Sequence, residues 1–181
     1  MHALIFDCDG VLVDTERDGH RVSFNRAFAQ KGLDTQWSEE RYGELLEIAG
    51  GKERMRAHFD ATGWPVPEDQ RDAFILDLHK LKTSIFMELI EGGDLPLRPG
   101  IADKVDAAIA EGWKLAVCST SNERAVQAVV DVLLGPDRAL HMPVFAGDIV
   151  PKKKPDPAIY LLARDRLGLE PARCLVIEDS A

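Results

Sequence analysis

Residues 4–14 of the chain read Leu-Ile-Phe-Asp-Cys-Asp-Gly-Val-Leu-Val-Asp, and this stretch decides the fold. Its apolar start predicts a buried strand that ends at Asp7 and Asp9. Because side chains alternate along an extended backbone, both carboxylates point to the same side, and Gly10 allows the chain to turn directly afterwards. Two like charges this close are costly without a cation, and Mg²⁺ prefers carboxylate oxygens. The stretch therefore predicts a metal and phosphate site, although an ordinary acidic turn has the same residue pattern.

The segments after residue 94 alternate between short apolar runs and amphipathic helices. Strands are expected at 113–118, 144–146 and 174–177, and helices at 101–110, 121–134 and from about residue 156. This alternation predicts an α/β fold, a Rossmann-like parallel sheet with helices on both faces. We expect residues 1–13 and 95–181 to form this core domain. No helix follows the last strand to cover it, so we expect the core to be incomplete at its C-terminal side.

Residues 14–94 show helical periodicity only. Helices are expected at about 15–31, after an N-cap at Ser38, at 52–59 and at 68–91. The last of them carries apolar residues at three- and four-residue steps: Phe74, Leu78, Leu81, Ile85 and Leu89. Gly and Pro residues follow at 92–100 and indicate a linker. We therefore expect an all-helical cap domain inserted into the core after the first strand.

The composition limits the partners. With 181 residues, 45% of them hydrophobic, the chain can bury a core, and a net charge of -9 disfavours nucleic acid and anionic membranes as partners. Cys8, Cys118 and Cys174 lie in or beside predicted strands, as buried free thiols usually do. No transmembrane run or secretory signal is present in the sequence. A small-molecule substrate and a monomeric protein are expected.

Polar residues follow three of the predicted strands, where the carboxyl ends of parallel strands would bring them together. The first strand ends in Asp7 and Asp9, the second in residues 119–122 (Ser-Thr-Ser-Asn), and the last in Glu178 and Asp179. Each group also has a structural explanation, because Ser and acidic residues commonly cap helices. A run of three lysines ends at Lys154, which the following proline stiffens, although such runs are usually solvated. Together, in this order, the four signals are far more specific than any one alone.

This combination resembles the haloacid dehalogenase superfamily of phosphohydrolases with a helical cap, over the whole chain. The resemblance implies that Asp7 is the nucleophile and Asp9 the general acid/base. It implies that Ser119, Thr120 and Lys154 bind phosphate. It also implies Mg²⁺ as the cofactor, with a ligand set that comprises Asp7, Asp9 (through its backbone carbonyl), Glu178 and Asp179.

Within the superfamily, residues 7–16, 50–55, 118–123 and 151–160 closely resemble the plant and algal CbbY family. That resemblance implies a phosphatase that converts xylulose-1,5-bisphosphate to xylulose-5-phosphate and so removes an inhibitor of Rubisco. It implies the chloroplast stroma, with a bacterial cytoplasm as the alternative. It further implies substrate contacts from the cap, made by Glu16, His20, Tyr42, Gly50, Gly51, Lys52 and Arg54. Arg98, beside the linker, either reaches the same pocket or is solvated.

Three other functions share parts of this pattern. A sugar phosphomutase of the same fold has the same core motifs and differs in its cap residues. A phospho-accepting receiver domain also places acids, Ser/Thr and Lys at strand ends, but it has no inserted helical cap of this size. A catalytically impaired fragment is the third alternative, because loosely fixed metal carboxylates would reduce the rate steeply.

Overall fold

The computed structural model describes residues 2–48, 50–152 and 154–179. They group into two units, which we name the core unit (Met1–Thr15 with Ile90–Ala181) and the helical unit (Glu16–Leu89). Lys153 of the lysine run and Ser180, which follows the acidic pair, lie outside the described residues. In the described part of the chain, no helix has both the length and the apolar character that a membrane span requires.

A four-stranded parallel sheet organises the core unit, as the alternation of strands and helices predicted. Its strands are β1 (Ala3–Phe6), β2 (Lys114–Ser119), β3 (Val144–Ala146) and β4 (Cys174–Ile177), in the order β3-β2-β1-β4. Leu4 of β1 is paired with Leu115 of β2 on one side and with Leu175 of β4 on the other. Because all the pairings are parallel, the residues that follow β1, β2 and β4 meet at one edge of the sheet.

The α-helices follow the expected order. They are α1 (Arg21–Gln30), α2 (Glu39–Leu45), α3 (Gly51–Thr62), α4 (Arg71–Glu91), α5 (Ile101–Ala110), α6 (Glu123–Ala128), α7 (Pro136–Ala139) and α8 (Ala158–Leu167). Two segments expected as single helices contain wider π-helical turns, at Thr15–His20 and Val129–Leu134. Short 3-10 turns at Glu68–Gln70 and Pro171–Arg173 precede α4 and β4.

The sheet is buried where helices cover it. All four residues of β1 are buried, and Ile5, Cys118 and Phe145 belong to a cluster that also contains Ile159 and Ala163 of α8. The last strand is covered less well, as expected for β4. Leu175 and Val176 of this edge strand remain 56% and 37% exposed.

Two chain segments in the core unit run side by side where the helical unit begins and ends. Val13 forms an antiparallel bridge with Leu97. The Arg98 N–H donates a hydrogen bond to the Leu12 carbonyl at 2.8 Å. The chain therefore leaves and re-enters the core unit at neighbouring points.

The helical unit has its own aromatic core. Its largest fully buried side chains include Phe24, Phe28, Trp37 and Tyr42. Trp37 Nε1 donates to His58 Nδ1 at 3.2 Å, which satisfies a donor that burial would otherwise leave unpaired. The predicted N-cap also forms, since the Ser38 side chain accepts the Arg41 N–H at 3.1 Å.

Candidate active site

Asp7 is fixed at the edge of the sheet by its backbone. Its N–H donates to the Ile177 carbonyl at 2.9 Å, which extends the β1–β4 pairing by one residue. The Cys8 N–H in turn donates to Asp7 Oδ1 at 2.7 Å. The residue is 8% exposed, and burial raises the pKa of its carboxyl group to about 6, although Lys154 and the Cys8 N–H lower it. Asp7 is therefore a buried carboxylate that is largely ionised at neutral pH, as a nucleophile must be.

Lys154 joins two of the predicted site residues. Its Nζ lies 2.7 Å from Asp7 Oδ1 and 2.6 Å from Glu178 Oε1. Burial lowers the pKa of Lys154, but hydrogen bonds with the two carboxylates outweigh burial and raise it above its usual value. The ammonium also lies 5.2 Å from the centre of the Tyr160 ring, whose hydroxyl donates to Glu178. Lys154 therefore remains a cation beside Asp7, where it can neutralise a phosphate oxygen.

Gly10 allows an acid from the last strand to approach the first. It has a φ of +75°, and a Cβ at this position would overlap the Asp179 carboxylate. Any other residue would therefore be strained and would also displace Asp179. The glycine is a requirement of the site as well as of the turn.

Three carboxylates converge at this edge of the sheet. Asp7, Glu178 and Asp179 each offer an oxygen, and the three oxygens lie within 4.8 Å of one another. Hard oxygen ligands of this kind suit Mg²⁺ better than softer metals. The donor set therefore fits the predicted cation. The Asp9 side chain, in contrast, is directed to a group of hydroxyls.

Asp9 accepts hydrogen bonds on both carboxylate oxygens. Thr15 Oγ1 donates to Oδ1 at 2.5 Å. Ser121 Oγ and Ser119 Oγ donate to Oδ2, the latter at 3.4 Å. The three hydroxyls hold the Asp9 carboxylate in a defined orientation, which is what proton transfer to a substrate oxygen requires.

The loop after β2 supplies the hydroxyl groups of the site. Ser119 is buried and accepts the Ser121 N–H at 3.1 Å. The cap of α6 is a different residue, because Asn122 Oδ1 accepts the Ala125 N–H at 3.3 Å. Ser119 and Ser121 are therefore available to the site, whereas Thr120 lines a cleft of about 620 Å³ beside β3.

Cys8 lies between Asp7 and Asp9 in sequence, but its thiol is not reactive. The thiol is buried, and burial raises its pKa well above the usual value, with the charges of Asp9 and Asp7 adding to the effect. It therefore stays protonated, as expected of a structural cysteine.

A second polar cluster lies within the helical unit. Tyr42 Oη donates to Glu16 Oε2 at 2.6 Å and accepts from Arg54 Nη1 at 3.2 Å. Arg54 also donates through Nε to the Ile48 carbonyl at 2.9 Å. Three of the predicted substrate residues are thus brought together by direct contacts.

His20 belongs to the same unit and contacts an unexpected cation. Its Nδ1 lies 2.8 Å from Nζ of Lys82, which is only 7% exposed and lies over the rings of Phe24 and Phe86. Burial lowers the pKa of Lys82 to about 8; the charge of Arg54 lowers it as well, and the charge of Glu16 opposes both. Burial also lowers the pKa of His20 well below its usual value. The cluster therefore holds more positive than negative groups in a poorly solvated environment.

The N-terminus of α3 contains the remaining predicted cap residues. Gly50 has a φ of +96°, and a Cβ there would overlap the Glu53 carboxylate. Gly51 packs against Phe24 and His79, where a Cβ would lie 3.1 Å and 3.3 Å from their side-chain atoms. Lys52 is half-buried, and its charge contributes to the lowered pKa of His79, for which burial is the main cause.

Sequence reasoning assigned no site role to three residues that the structure places in these clusters: Thr15, Lys82 and Tyr160. Ser121 belongs to the predicted polar run 119–122, and its hydroxyl bonds to Asp9. A signal for Lys82 was present, because it falls on the stripe of α4 between Leu78 and Ile85, where a charge is out of place. Arg98 contributes its backbone N–H to Leu12, and its side chain makes no hydrogen bond or ion pair among residues 2–48, 50–152 and 154–179.

Comparison with known proteins agrees with the fold. A family model for haloacid dehalogenase-like hydrolases matches residues 1–181. The chain therefore belongs to this family of hydrolases.

Two relatives share a large fraction of their sequence with this chain. The chain is 61% identical to a CBBY-like protein of Arabidopsis thaliana, over 99% of its own length and 57% of the relative. It is 44% identical to protein CbbY of Rhodobacter capsulatus, over 99% of the chain and 78% of the relative. The fold matches the crystal structure of a CbbY mutant from Rhodobacter sphaeroides in complex with xylulose-(1,5)bisphosphate with a TM-score of 0.71. The two sequences are 39% identical, and the match covers 99% of this chain and 79% of that one. The chain thus spans just over half of the plant relative.

Proposed function

We propose that the protein hydrolyses phosphate monoesters at the core unit. The observation that carries this proposal is the contact between Lys154 and Asp7, beside a cluster of three carboxylates and the hydroxyl of Ser119. A carboxylate attacks phosphorus only when the negative charge of both groups is offset. Lys154 offers that neutralisation from the protein itself.

The reaction would proceed in two half-reactions. Asp7 attacks phosphorus to form an aspartyl-phosphate while Asp9 protonates the departing sugar oxygen. Asp9 then takes a proton from the water that attacks the phosphorus of the intermediate, which releases phosphate and restores Asp7. Thr15 and Ser121 support this exchange by holding the Asp9 carboxylate through hydrogen bonds.

Mg²⁺ is the proposed cofactor, and Asp7, Glu178 and Asp179 would hold it. The backbone carbonyl of Asp9 is the further ligand that the family resemblance implies. When bound, the ion would offset phosphate charge and orient the transferring group.

We further propose a sugar bisphosphate as the substrate, xylulose-1,5-bisphosphate in particular, with xylulose-5-phosphate as the product. The support comes from the identity to CbbY proteins and from the bisphosphate bound to one of them. Arg54 and Lys52 are the proposed partners of the second phosphate, by the same resemblance. By the same resemblance, the protein would remove an inhibitor of Rubisco in a chloroplast stroma or a bacterial cytoplasm.

Phosphate release tests both parts of the proposal. The purified protein would be assayed with Mg²⁺ on xylulose-1,5-bisphosphate, ribulose-1,5-bisphosphate and simple sugar phosphates, with Asp7→Asn as the blank. Preferential release from the xylulose compound, absent in the blank, supports the proposal. Equal release from ribulose-1,5-bisphosphate contradicts the substrate, and interconversion of sugar monophosphates identifies a phosphomutase instead.

A further inference from the structure

Tyr42 combines a deeply buried ring with a hydroxyl that two charged groups share. The residue is 2% exposed, and its ring packs against Trp37 and Phe24 with centroid distances of 5.9 and 6.1 Å. The hydroxyl donates to Glu16 at 2.6 Å and accepts from Arg54 at 3.2 Å. A side chain so enclosed has little surface with which to contact a ligand itself.

Arg54 is held at two separate atoms. Nε donates to the Ile48 carbonyl at 2.9 Å, and Nη1 donates to the Tyr42 hydroxyl. Nη1 also lies 3.8 Å from Glu16 Oε2, too far for a direct hydrogen bond. Within the described ranges Nη2 donates to no other residue. A planar guanidinium fixed in this way presents its remaining donors in a set direction, which suits a phosphate oxygen.

We propose that Tyr42 is a positioning residue for anion binding, which acts by holding Arg54 and Glu16 and does not touch the substrate. This inference rests on the proposed function, and it reassigns a residue that the family resemblance placed among the substrate contacts. The hydroxyl bridges a cation and an anion that otherwise stand 3.8 Å apart, so it separates Arg54 from Glu16 while fixing both. Without it, Arg54 would move into a direct ion pair with Glu16 and lose its orientation toward a phosphate.

The protonation of Tyr42 is consistent with this role. Burial raises the pKa of its phenol far above the usual value, and the neighbouring Glu16 charge raises it further. The hydroxyl therefore keeps its proton at any pH at which the enzyme would work, and it remains a donor to Glu16. Phenylalanine preserves the ring and its packing but can neither donate nor accept.

The test is a double-mutant cycle of Tyr42→Phe and Arg54→Met, assayed on xylulose-1,5-bisphosphate and on p-nitrophenyl phosphate. Trp37→Phe is the matched control, because Trp37 lies in the same core but its N–H bonds to His58. For Tyr42→Phe we expect KM for the bisphosphate to rise about tenfold, the factor typical of one lost hydrogen bond to a charged group, with kcat unchanged. In the Arg54→Met background the same change should alter KM by less than about twofold, because it acts through Arg54.

The outcomes separate this inference from the proposed function. KM values that multiply in the double mutant would show that Tyr42 contacts the substrate directly, and an unchanged KM in Tyr42→Phe would remove its role altogether. An equal rise in KM for Trp37→Phe would reduce the effect to general loosening of the core. A wild type that hydrolyses p-nitrophenyl phosphate but not the bisphosphate would overturn the substrate and this inference with it. A wild type active on neither compound would overturn the phosphatase assignment.

Discussion

Lys154 Nζ lies 2.7 Å from Asp7 Oδ1, so the proposed nucleophile has a cation within hydrogen-bond distance before any substrate binds. The two residues come from opposite ends of the sequence. Burial alone would leave the Asp7 carboxylate protonated more often, because it raises the pKa to about 6 even with Lys154 present. The lysine therefore favours the ionised form of Asp7, in addition to its proposed role in phosphate binding.

Replacing Lys154 by methionine should reduce kcat/KM by about 10²- to 10³-fold, the loss usual when one preorganised electrostatic contact is removed. Phosphate release under saturating Mg²⁺ measures the change. Lys152→Met is the matched control, because Lys152 is exposed and its 3.7 Å pairing with Asp156 contributes little. A comparable loss in the control would mean that the lysine run acts through its overall charge.

Mg²⁺ should raise the melting temperature of the wild type, because an ion that binds only the folded state stabilises it. Asp179→Asn should reduce that shift, since it removes one of the three converging carboxylates. Differential scanning fluorimetry with Mg²⁺ and with EDTA measures both. Asp165→Asn on α8, an exposed acid paired with Arg164, should keep the full shift. A full shift in Asp179→Asn would place the ion elsewhere.

Thr15→Val should lower kcat about tenfold with little change in KM, because it removes a hydrogen bond that orients Asp9 but leaves the buried volume nearly the same. Thr15→Ser, which retains the hydroxyl, should recover most of the rate. Thr62→Val, which removes a hydroxyl bonded to the His58 carbonyl, is the control. Equal rates for the valine and serine variants would exclude an orienting role.

Lys82→Met should make the helical unit more stable. The buried ammonium has a pKa of about 8 against a usual 10.5, so its charge costs on the order of 1–3 kcal/mol below pH 8. Because the unfolded chain binds the proton more tightly, wild-type stability should rise between pH 8 and 10.5, and the variant should lack that rise. Urea unfolding across this range measures it. Lys80→Met, an exposed lysine of the same helix, should behave as wild type.

Stability should also fall as the pH decreases from 7 to 5. His58 accepts a hydrogen bond from Trp37 on Nδ1, and burial lowers its pKa, with the charge of Arg41 adding to the effect. The unfolded chain therefore takes up the proton first, and the free energy of unfolding becomes smaller as the pH falls. His58→Asn, which keeps an acceptor, should make this dependence shallower, while His20 and His79, whose pKa values burial also lowers, account for the remainder. Replacing the exposed His141 by Asn should leave the pH dependence unchanged.

Asp7 contributes with the opposite sign. Because burial raises its pKa, the folded state holds the proton more tightly, and stability gains as the pH falls through 6 toward 3.8. The histidine series is therefore best measured in an Asp7→Asn background. A steeper acid loss in that background than in wild type would agree with both assignments, and an identical slope would contradict the one for Asp7.

Much of the core site could be predicted because parallel strands bring their carboxyl ends to one edge. Asp7, Ser119 and Glu178 each follow a strand, so the topology that the sequence indicates is enough to place them together. The π-helical turns could not be foreseen, since a single wider turn barely changes the spacing of apolar residues.

Contacts between distant side chains were beyond sequence reasoning. Lys82 and His20 are 62 residues apart, and Tyr42 and Glu16 are 26 residues apart. Their pairing depends on how the helices pack. Tyr160 lies in the stretch 151–160 that resembles the CbbY family, which gives it no role, although its hydroxyl donates to Glu178.

The bridge between Val13 and Leu97 affects how freely the length of the segment between them can change. Antiparallel partners lie about 5 Å apart, so the core unit already holds together the two ends of the segment that runs from Val13 to Leu97. Lengthening or shortening that segment changes its loop-closure entropy only slightly. Insertions and deletions between Val13 and Leu97 should therefore cost the core unit little folding free energy.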